Sequence, residues 1–187
     1  MKKIRLTLIF TVCAILTGYT QKAAIKTNLA YDATATVNVG AEFAVSRKLS
    51  VDLSGNYNGW DVVEQKSWQH WMIQPEVRYW THETFNGHFF GVHGIYANYS
   101  ISRLDLPIFD MKRSCAYDGL AYGAGLSYGY HIYVTPRLNI ELTAGVGFLH
   151  FEYDKTNPVT KESENGRYAR SYFGPTKVGL SIVYIIF

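Results

Sequence analysis

From Leu120 the chain alternates: Leu120, Tyr122, Ala124, Leu126, Tyr128, Tyr130 and Ile132 fall in one phase, and Ala121, Gly123, Gly125, Ser127, Gly129 and His131 in the other. A period of two marks a β-strand with chemically different faces. This one is long enough for the ~9 to 11 residues of a membrane-crossing strand. The same pattern predicts strands over 25–34, 39–46, 49–58 and 138–148, and three less regular stretches, 71–79, 88–100 and 178–186, bring the number to eight. Pro75 blemishes the fourth because it has no N–H for a ladder. In 88–100 both phases hold apolar residues; Phe90, Val92 and Tyr96 are assigned outward, Gly91 and His93 inward.

The connections nearly alternate in length. Ser46-Arg47-Lys48, 83–87 and Thr135-Pro136-Arg137 have turn-forming composition, whereas 58–69, 101–118 and 154–170 are long and polar or glycine-bearing. Only the first connection, around Thr36 to Asn38, is short on the long-loop side. Polarity decides what kind of barrel this is. The minor phase carries Lys26, Asp32, Glu42, Asp52, Glu76, Arg78, Glu141 and Lys177, while the apolar phase stays free of charge through most strands. A soluble eight-stranded barrel or sandwich buries the apolar phase; charge is tolerable in a lumen where ions pair and costly against lipid. The expectation is an all-β fold, an eight-stranded antiparallel transmembrane outer-membrane barrel (OmpA/OmpX-like) with short periplasmic turns, longer extracellular loops and a lumen charge network of those eight residues.

Aromatic placement agrees. Tyr57, Trp60, Trp68, Trp71, Phe148, Phe151, Tyr172 and Phe173 lie near the long-loop ends, and Tyr79, Trp80, Phe85, Phe89, Tyr130, Tyr133, Tyr184 and Phe187 near the short turns. Two such groups read as interfacial girdles.

The run G-A-G-L-S-Y-G is one residue from a dinucleotide fingerprint, but a phosphate cradle needs a strand, a turn and then a helix N-terminus. Here the glycines sit inside a continuous alternating strand. Gly123, Gly125 and Gly129, with Gly145 and Gly147 in the next strand, therefore read as lumen glycines that make room for long side chains from across the barrel, Arg78 and Glu76 first. An eight-stranded barrel has an interior that side chains fill, so the lumen is expected to be plugged.

The N-terminus changes the charge picture. M-K-K-I-R followed by the apolar run Leu6 to Leu16 reads as a signal peptide over 1–20, cleaved before Gln21, with 21–187 a single barrel domain. Removing Lys2, Lys3 and Arg5 takes the formal charge from +3 to zero, which leaves no basic face for nucleic acid. Cys13 leaves with the leader. Val12 stands where a lipoprotein acylation box needs a small residue, and Cys115 alone permits no internal disulfide or cysteine metal cluster.

Candidate chemistry is sparse. His70 and His150 lie near the long-loop rim with Ser67 and Ser100 as partners for a lipid-modifying enzyme, but no Ser/His/acid order is distinctive, and His70, His93 and His150 lack metal-ligand spacing. No catalytic residue, metal or cofactor is assigned. The loop 154–170 mixes charges of both signs, and L-D-L-P-I-F-D-M within 101–118 is apolar enough to cover the barrel mouth or meet a partner.

Several strings become informative in order: K-T-N-L-A-Y-D-A, D-L-S-G-N-Y-N-G-W, H-W-M-I-Q-P-E-V-R-Y-W, F-N-G-H-F-F-G-V-H, Y-G-A-G-L-S-Y-G-Y and Y-F-G-P-T-K-V-G-L-S. With them the chain resembles an uncharacterised family of Bacteroidetes outer-membrane barrels, domain of unknown function 3575, over nearly all of the mature chain. The resemblance implies an outer-membrane location, a Bacteroidetes source and company among fimbrial or surface-assembly proteins, and it supplies no catalytic residues. The expected function is thus a monomeric, non-enzymatic barrel in the outer membrane of a Gram-negative bacterium, in contact with outer-membrane lipid, with a structural, anchoring or surface-recognition role toward a fimbrial or envelope protein. The alternatives are a lipid A or phospholipid-modifying enzyme using a rim histidine, and an accessory to outer-membrane transport.

Overall fold

The computed structural model of the chain describes residues 22–63, 66–102, 116–156 and 163–186. The leader expected over 1–20, Cys115, the string L-D-L-P-I-F-D-M and Phe187 lie outside the described residues. The elements are β1 (Ala23–Asn28), a single helical turn α1 (Leu29–Asp32), β2 (Val37–Ala44), β3 (Leu49–Asn58), β4 (Asp61–Val63), β5 (Lys66–Trp80), β6 (Gly87–Ser102), β7 (Ala116–Tyr133), β8 (Leu138–Thr156) and β9 (Ser163–Ile185). All pairings are antiparallel. Because β9 pairs back with β1 and β3 pairs with β5, eight strands close a ring, and β4 is a short addition to the start of β5.

Stepping across paired residues from Ala24 leads through Glu42, Asp52, Glu76, His93, Gly125 and Gly147 to Gly174. Ala24 itself pairs with Ile185, eleven residues further along β9. This displacement is the stagger that tilts the strands of a closed barrel. One residue of it is a bulge: Gly145 pairs with Lys177 and Val146 with Pro175, so Thr176 is extra. The bulge turns two successive side chains inward, Thr176 to His93 Nε2 at 3.0 Å and Lys177 to Glu76 at 2.5 Å.

The alternation appears as two opposite surfaces. Ile25, Val39, Leu53, Ile73, Val77, Val92, Leu126, Leu142, Val146, Leu180 and Ile182 are exposed on the outside, while Lys26, Glu42, Asp52, Glu76, Arg78 and Glu141 are buried within. In β6 the inward phase is Phe89, Gly91, His93, Ile95 and Tyr99, with Phe90, Val92 and Tyr96 outward. Pro75 does sit inside a strand. It pairs with Leu53 on the β3 side, and on the β6 side the pairing lapses between Ile73 and Glu76, opposite Gly94, and resumes in the same register.

The strand expected over 25–34 stops at Asn28. Asn28 Oδ1 accepts the Ala30 N–H at 3.1 Å and caps α1, so the connection to β2 is longer than the sequence suggested. The same side chain continues the ladder that β1 abandons: Oδ1 accepts the Leu180 N–H and Nδ2 donates to the Val178 carbonyl, each at 3.2 Å. Beyond Ser181, the partner of Asn28, β9 runs eighteen residues further to Ser163 with no described strand on that side. The expected loop 154–170 is correspondingly shorter, since β8 continues to Thr156 and β9 begins at Ser163. The strands β5 to β9 thus form a wall that overtops β1 to β3. Its inner face carries Tyr99, Ile101, Tyr117 and Ala121 packed with Phe151 and Tyr153.

Candidate functional site

Strand periodicity fixes what can meet inside. Inward residues of β1, β2, β3, β5, β8 and β9 converge at one level, and the longest of them, Arg78, reaches the middle. Its Nη1 lies 2.7 Å from Glu42 Oε2 and 2.8 Å from Glu141 Oε2; its Nη2 lies 2.9 Å from Glu76, 3.1 Å from Glu141 Oε1 and 3.3 Å from Asp52. Lys26 Nζ lies 2.7 Å from Glu42, 3.0 Å from Asp52 and 3.5 Å from Glu141. Lys177 joins through Glu76. Four carboxylates therefore face three cations within an almost fully buried cluster.

Neutral groups complete it. Ser50 donates to Glu42 at 2.5 Å, Thr143 to Glu141 at 3.0 Å, and Ser127 to Glu76. Buried charges persist only when paired and hydrogen-bonded, and removing one partner of such a cluster costs ~3–5 kcal/mol. Seven of the eight residues expected in the lumen network are brought together. Asp32 is not: it lies on α1, exposed, accepting from Thr27 at 3.0 Å and from Asn38 at 2.7 Å. Asn28 had already turned the chain out of the strand, so the alternation no longer set its direction.

The lumen glycines make room, though for different neighbours than Arg78 and Glu76. A Cβ on Gly125 would lie 2.8 Å from the His93 ring, and one on Gly145 3.0 Å from His93 and 3.1 Å from Lys177. On Gly129 it would strike the Phe89 ring, while Gly123 and Gly147 let adjacent strand backbones approach. Glu76 is accommodated by Gly91 and Lys26 by Gly40.

Toward the short turns the lumen is closed by an apolar plug of Trp80, Phe85 and Phe89 with Ala24 and Val183. These three aromatics were expected in a girdle; strand phase places Trp80 and Phe89 inside, and the turn after β5 folds Phe85 under the barrel with φ 67°. The Trp80 ring lies tilted, 4.8 Å from Phe89 and 5.9 Å from Phe85 between centroids, and His131 donates from Nδ1 to the Phe85 carbonyl at 3.0 Å. Plug and network are joined twice, by Trp80 Nε1 donating to Ser50 at 2.8 Å and by the Arg78 guanidinium 4.3 Å above the Phe89 ring.

On the other side of the network, Asn28, Tyr31, Asp52, Asn56, Gln74 and Lys177 help to line a cleft with about 40 Å³ of room for water centres. That is space for roughly three waters. Asn56 Oδ1 and Gln74 Nε2 have no hydrogen-bond partner among the described residues.

The rim histidines are separated. His70 turns inward and His150 outward, where its Nδ1 lies 3.3 Å from Ser171 Oγ. Ser100, proposed as a partner, lies on the face opposite His70, and of Ser67 only the backbone is described. Ser127, His93 and His131 do lie on the inward phase expected of them, and Ser50 joins them; nothing in the sequence gave any of the four its partner. No curated protein and no solved structure matches the chain. A family model does, over residues 6–186, and the chain belongs to that family, DUF3575, a protein family of unknown function.

Proposed function

We propose that the protein is a monomeric outer-membrane barrel with a sealed lumen that serves as an anchor and surface-recognition element, presenting the tall wall of β5 to β9 outside the cell. The observation that carries this reading is the inversion of the usual arrangement: charges at the centre, apolar residues outside. On β8 the outward series Leu138, Ile140, Leu142, Ala144, Val146 and Phe148 spans eleven residues without a charge, the length a tilted membrane strand needs. Tyr57, Trp71, Tyr96, Tyr122, Phe148 and Phe173 ring one end of this belt and Phe43, Tyr79, Phe90, Tyr128, Tyr130 and Tyr184 the other, where amphipathic rings favour the interface. The first outward carboxylate above the belt on β8 is Glu152, with Arg167 at 3.4 Å.

The network and plug argue against transport through the barrel. The test is reconstitution of the chain in salt-loaded lipid vesicles. A heat-shifted electrophoretic mobility with no ion leak is expected; steady leak through the folded barrel would sink the sealed-lumen reading, and failure to insert would sink the membrane reading.

One observation favours a second reading, a lipid-modifying enzyme: the outward His150–Ser171 pair stands just beyond the aromatic ring, at the depth of lipid ester groups. Lipid profiles of cells carrying the wild type and Ser171→Ala would separate the two, since an anchor leaves both profiles alike.

A further inference from the structure

We infer that the open edge of β9 above the belt, from Arg167 to Phe173, is a docking site for an extended acidic segment of another polypeptide, which adds a strand to the wall. This rests on the outer-membrane reading, which puts the edge outside the cell.

The direction of the backbone groups follows from the observed hydrogen bonds. Ile185 N–H donates toward β8, to the Arg137 carbonyl, and Ile186 N–H toward β1, to the Ala23 carbonyl. Leu180 N–H and the Val178 carbonyl also point to the β1 side, where Asn28 meets them. Residues of β9 that face outward thus turn their backbone to the β1 side. The bulge at Thr176 shifts this phase by one residue, so that above it Pro175, Phe173, Ser171, Ala169 and Arg167 are the edge residues. Their side chains agree: Phe173, Ser171 and Arg167 stand outward against Phe148, His150 and Glu152, their register partners or neighbours on β8.

The edge is handled differently at different heights. Within the belt the Asn28 side chain takes up the Leu180 N–H and the Val178 carbonyl, and Pro175 has no N–H to leave unmet. This is what the lipid interior demands. Above the belt four alternate residues, Phe173, Ser171, Ala169 and Arg167, offer N–H and C=O in strand register beside no described strand. A row of that kind selects an extended chain by its backbone.

Charge selects which chain. On the inner face of the wall beside this edge stand Arg170, Lys155 and the rings of Tyr168 and Tyr172, with Lys155 Nζ 4.1 Å from the Tyr168 centroid. The described inward positions of the wall above the belt include no acid; Asp118, Glu152 and Asp154 face outward. An added strand would place alternate side chains next to Arg170, and carboxylates fit there.

The test uses the full chain refolded in lipid vesicles, its insertion checked by heat-shifted mobility, and three ten-residue peptides: one alternating Glu with Val, one with Lys in place of Glu, and the Glu peptide N-methylated on alternate residues. Calorimetry is expected to show binding of the Glu peptide, at least tenfold weaker binding of the Lys peptide, and none of the N-methylated one. Ala169→Pro, which removes an edge donor at a position where proline is tolerated, is expected to abolish binding while the barrel stays inserted. Absent binding of the Glu peptide, equal binding of the N-methylated peptide or undiminished binding by Ala169→Pro would overturn the proposal, as would dimers of the wild type that Ala169→Pro dissolves, which assign the edge to a second copy. Failure of insertion would instead indict the outer-membrane reading.

Discussion

Arg78 and Glu141 meet across the lumen as a two-pronged pair, Nη1 to Oε2 at 2.8 Å and Nη2 to Oε1 at 3.1 Å, although β5 and β8 are not neighbours in the ring. A planar guanidinium against a carboxylate fixes distance and orientation together. The pair therefore acts as a strut, and the remaining acids and lysines pack around it. Replacing Arg78 by Leu leaves Glu42, Asp52, Glu76 and Glu141 with two lysines between them, and the expected loss is about 3–5 kcal/mol. Arg78→Lys keeps the charge and loses the fork, so a smaller loss is expected. Urea unfolding of the vesicle-inserted barrel measures both; a loss for Arg78→Leu below about 1 kcal/mol, the scale of an exposed pair, would contradict the strut.

A Cβ on Gly125 would meet the His93 ring at 2.8 Å and the Val146 carbonyl at 2.5 Å, so any side chain must displace both. Gly125→Val is expected to destabilise the barrel by about 1–3 kcal/mol. His93→Ala should recover part of that loss in the double variant. Simple additivity of the two changes would show that the glycine is not there for the histidine.

Trp80 serves both plug and network. Trp80→Phe keeps most of the packing and deletes the hydrogen bond to Ser50, a change worth about 1 kcal/mol. Trp80→Ala removes a fully buried ring and should cost about 3–5 kcal/mol. Equal losses for the two would assign Trp80's whole contribution to the hydrogen bond.

At the short turns Arg47 clasps Glu83 through Nε at 3.1 Å and Nη2 at 2.7 Å. The hydrogen bonds, then the charge, of Arg47 hold the Glu83 carboxyl below its ordinary value of 4.5. A depressed carboxyl contributes stability above its unfolded value and loses it as pH falls through the folded one. Both groups are exposed, so the effect on unfolding is small; the direct readout is the Glu83 carboxyl titration by NMR. It should lie below 4.5 and return toward that value in Arg47→Ala.

Leu126 is exposed at mid-belt and Tyr133 at its short-turn end. If the outside faces lipid, Leu126→Arg costs about 2–4 kcal/mol and Tyr133→Arg about 0–1 kcal/mol. Equal, negligible costs at both positions would point to water on the outer face.

How much of this was legible in the sequence depends on how far alternation reaches. It gave the eight strands, their faces and seven lumen charges, because a period of two needs no knowledge of partners. It failed where the chain left the ladder: Asp32 follows Asn28 into a helical turn, and an amide that caps a helix and substitutes for a strand cannot be told from any other asparagine. Trp80 and Phe89 were placed by their height along the chain, when their phase already pointed inward; Phe85 sits in a turn, where no phase exists to read. The His93 and His131 contacts depend on barrel stagger and on the bulge at Thr176, which are set by registers among strands distant in sequence. Pro175 was readable as an edge residue, but only once β1 was known to stop below it.

Contact between the apolar outer face and lipid is what the sealed-barrel reading stands on. A spin label at Val146 and another at Ser171, each introduced as a single cysteine on a Cys115→Ser background and refolded in lipid vesicles, test it most directly through collision with dissolved oxygen and with a water-soluble nickel chelate. Oxygen contact and protection from the chelate are expected at Val146, and the reverse at Ser171. A Val146 label open to the chelate would contradict that reading.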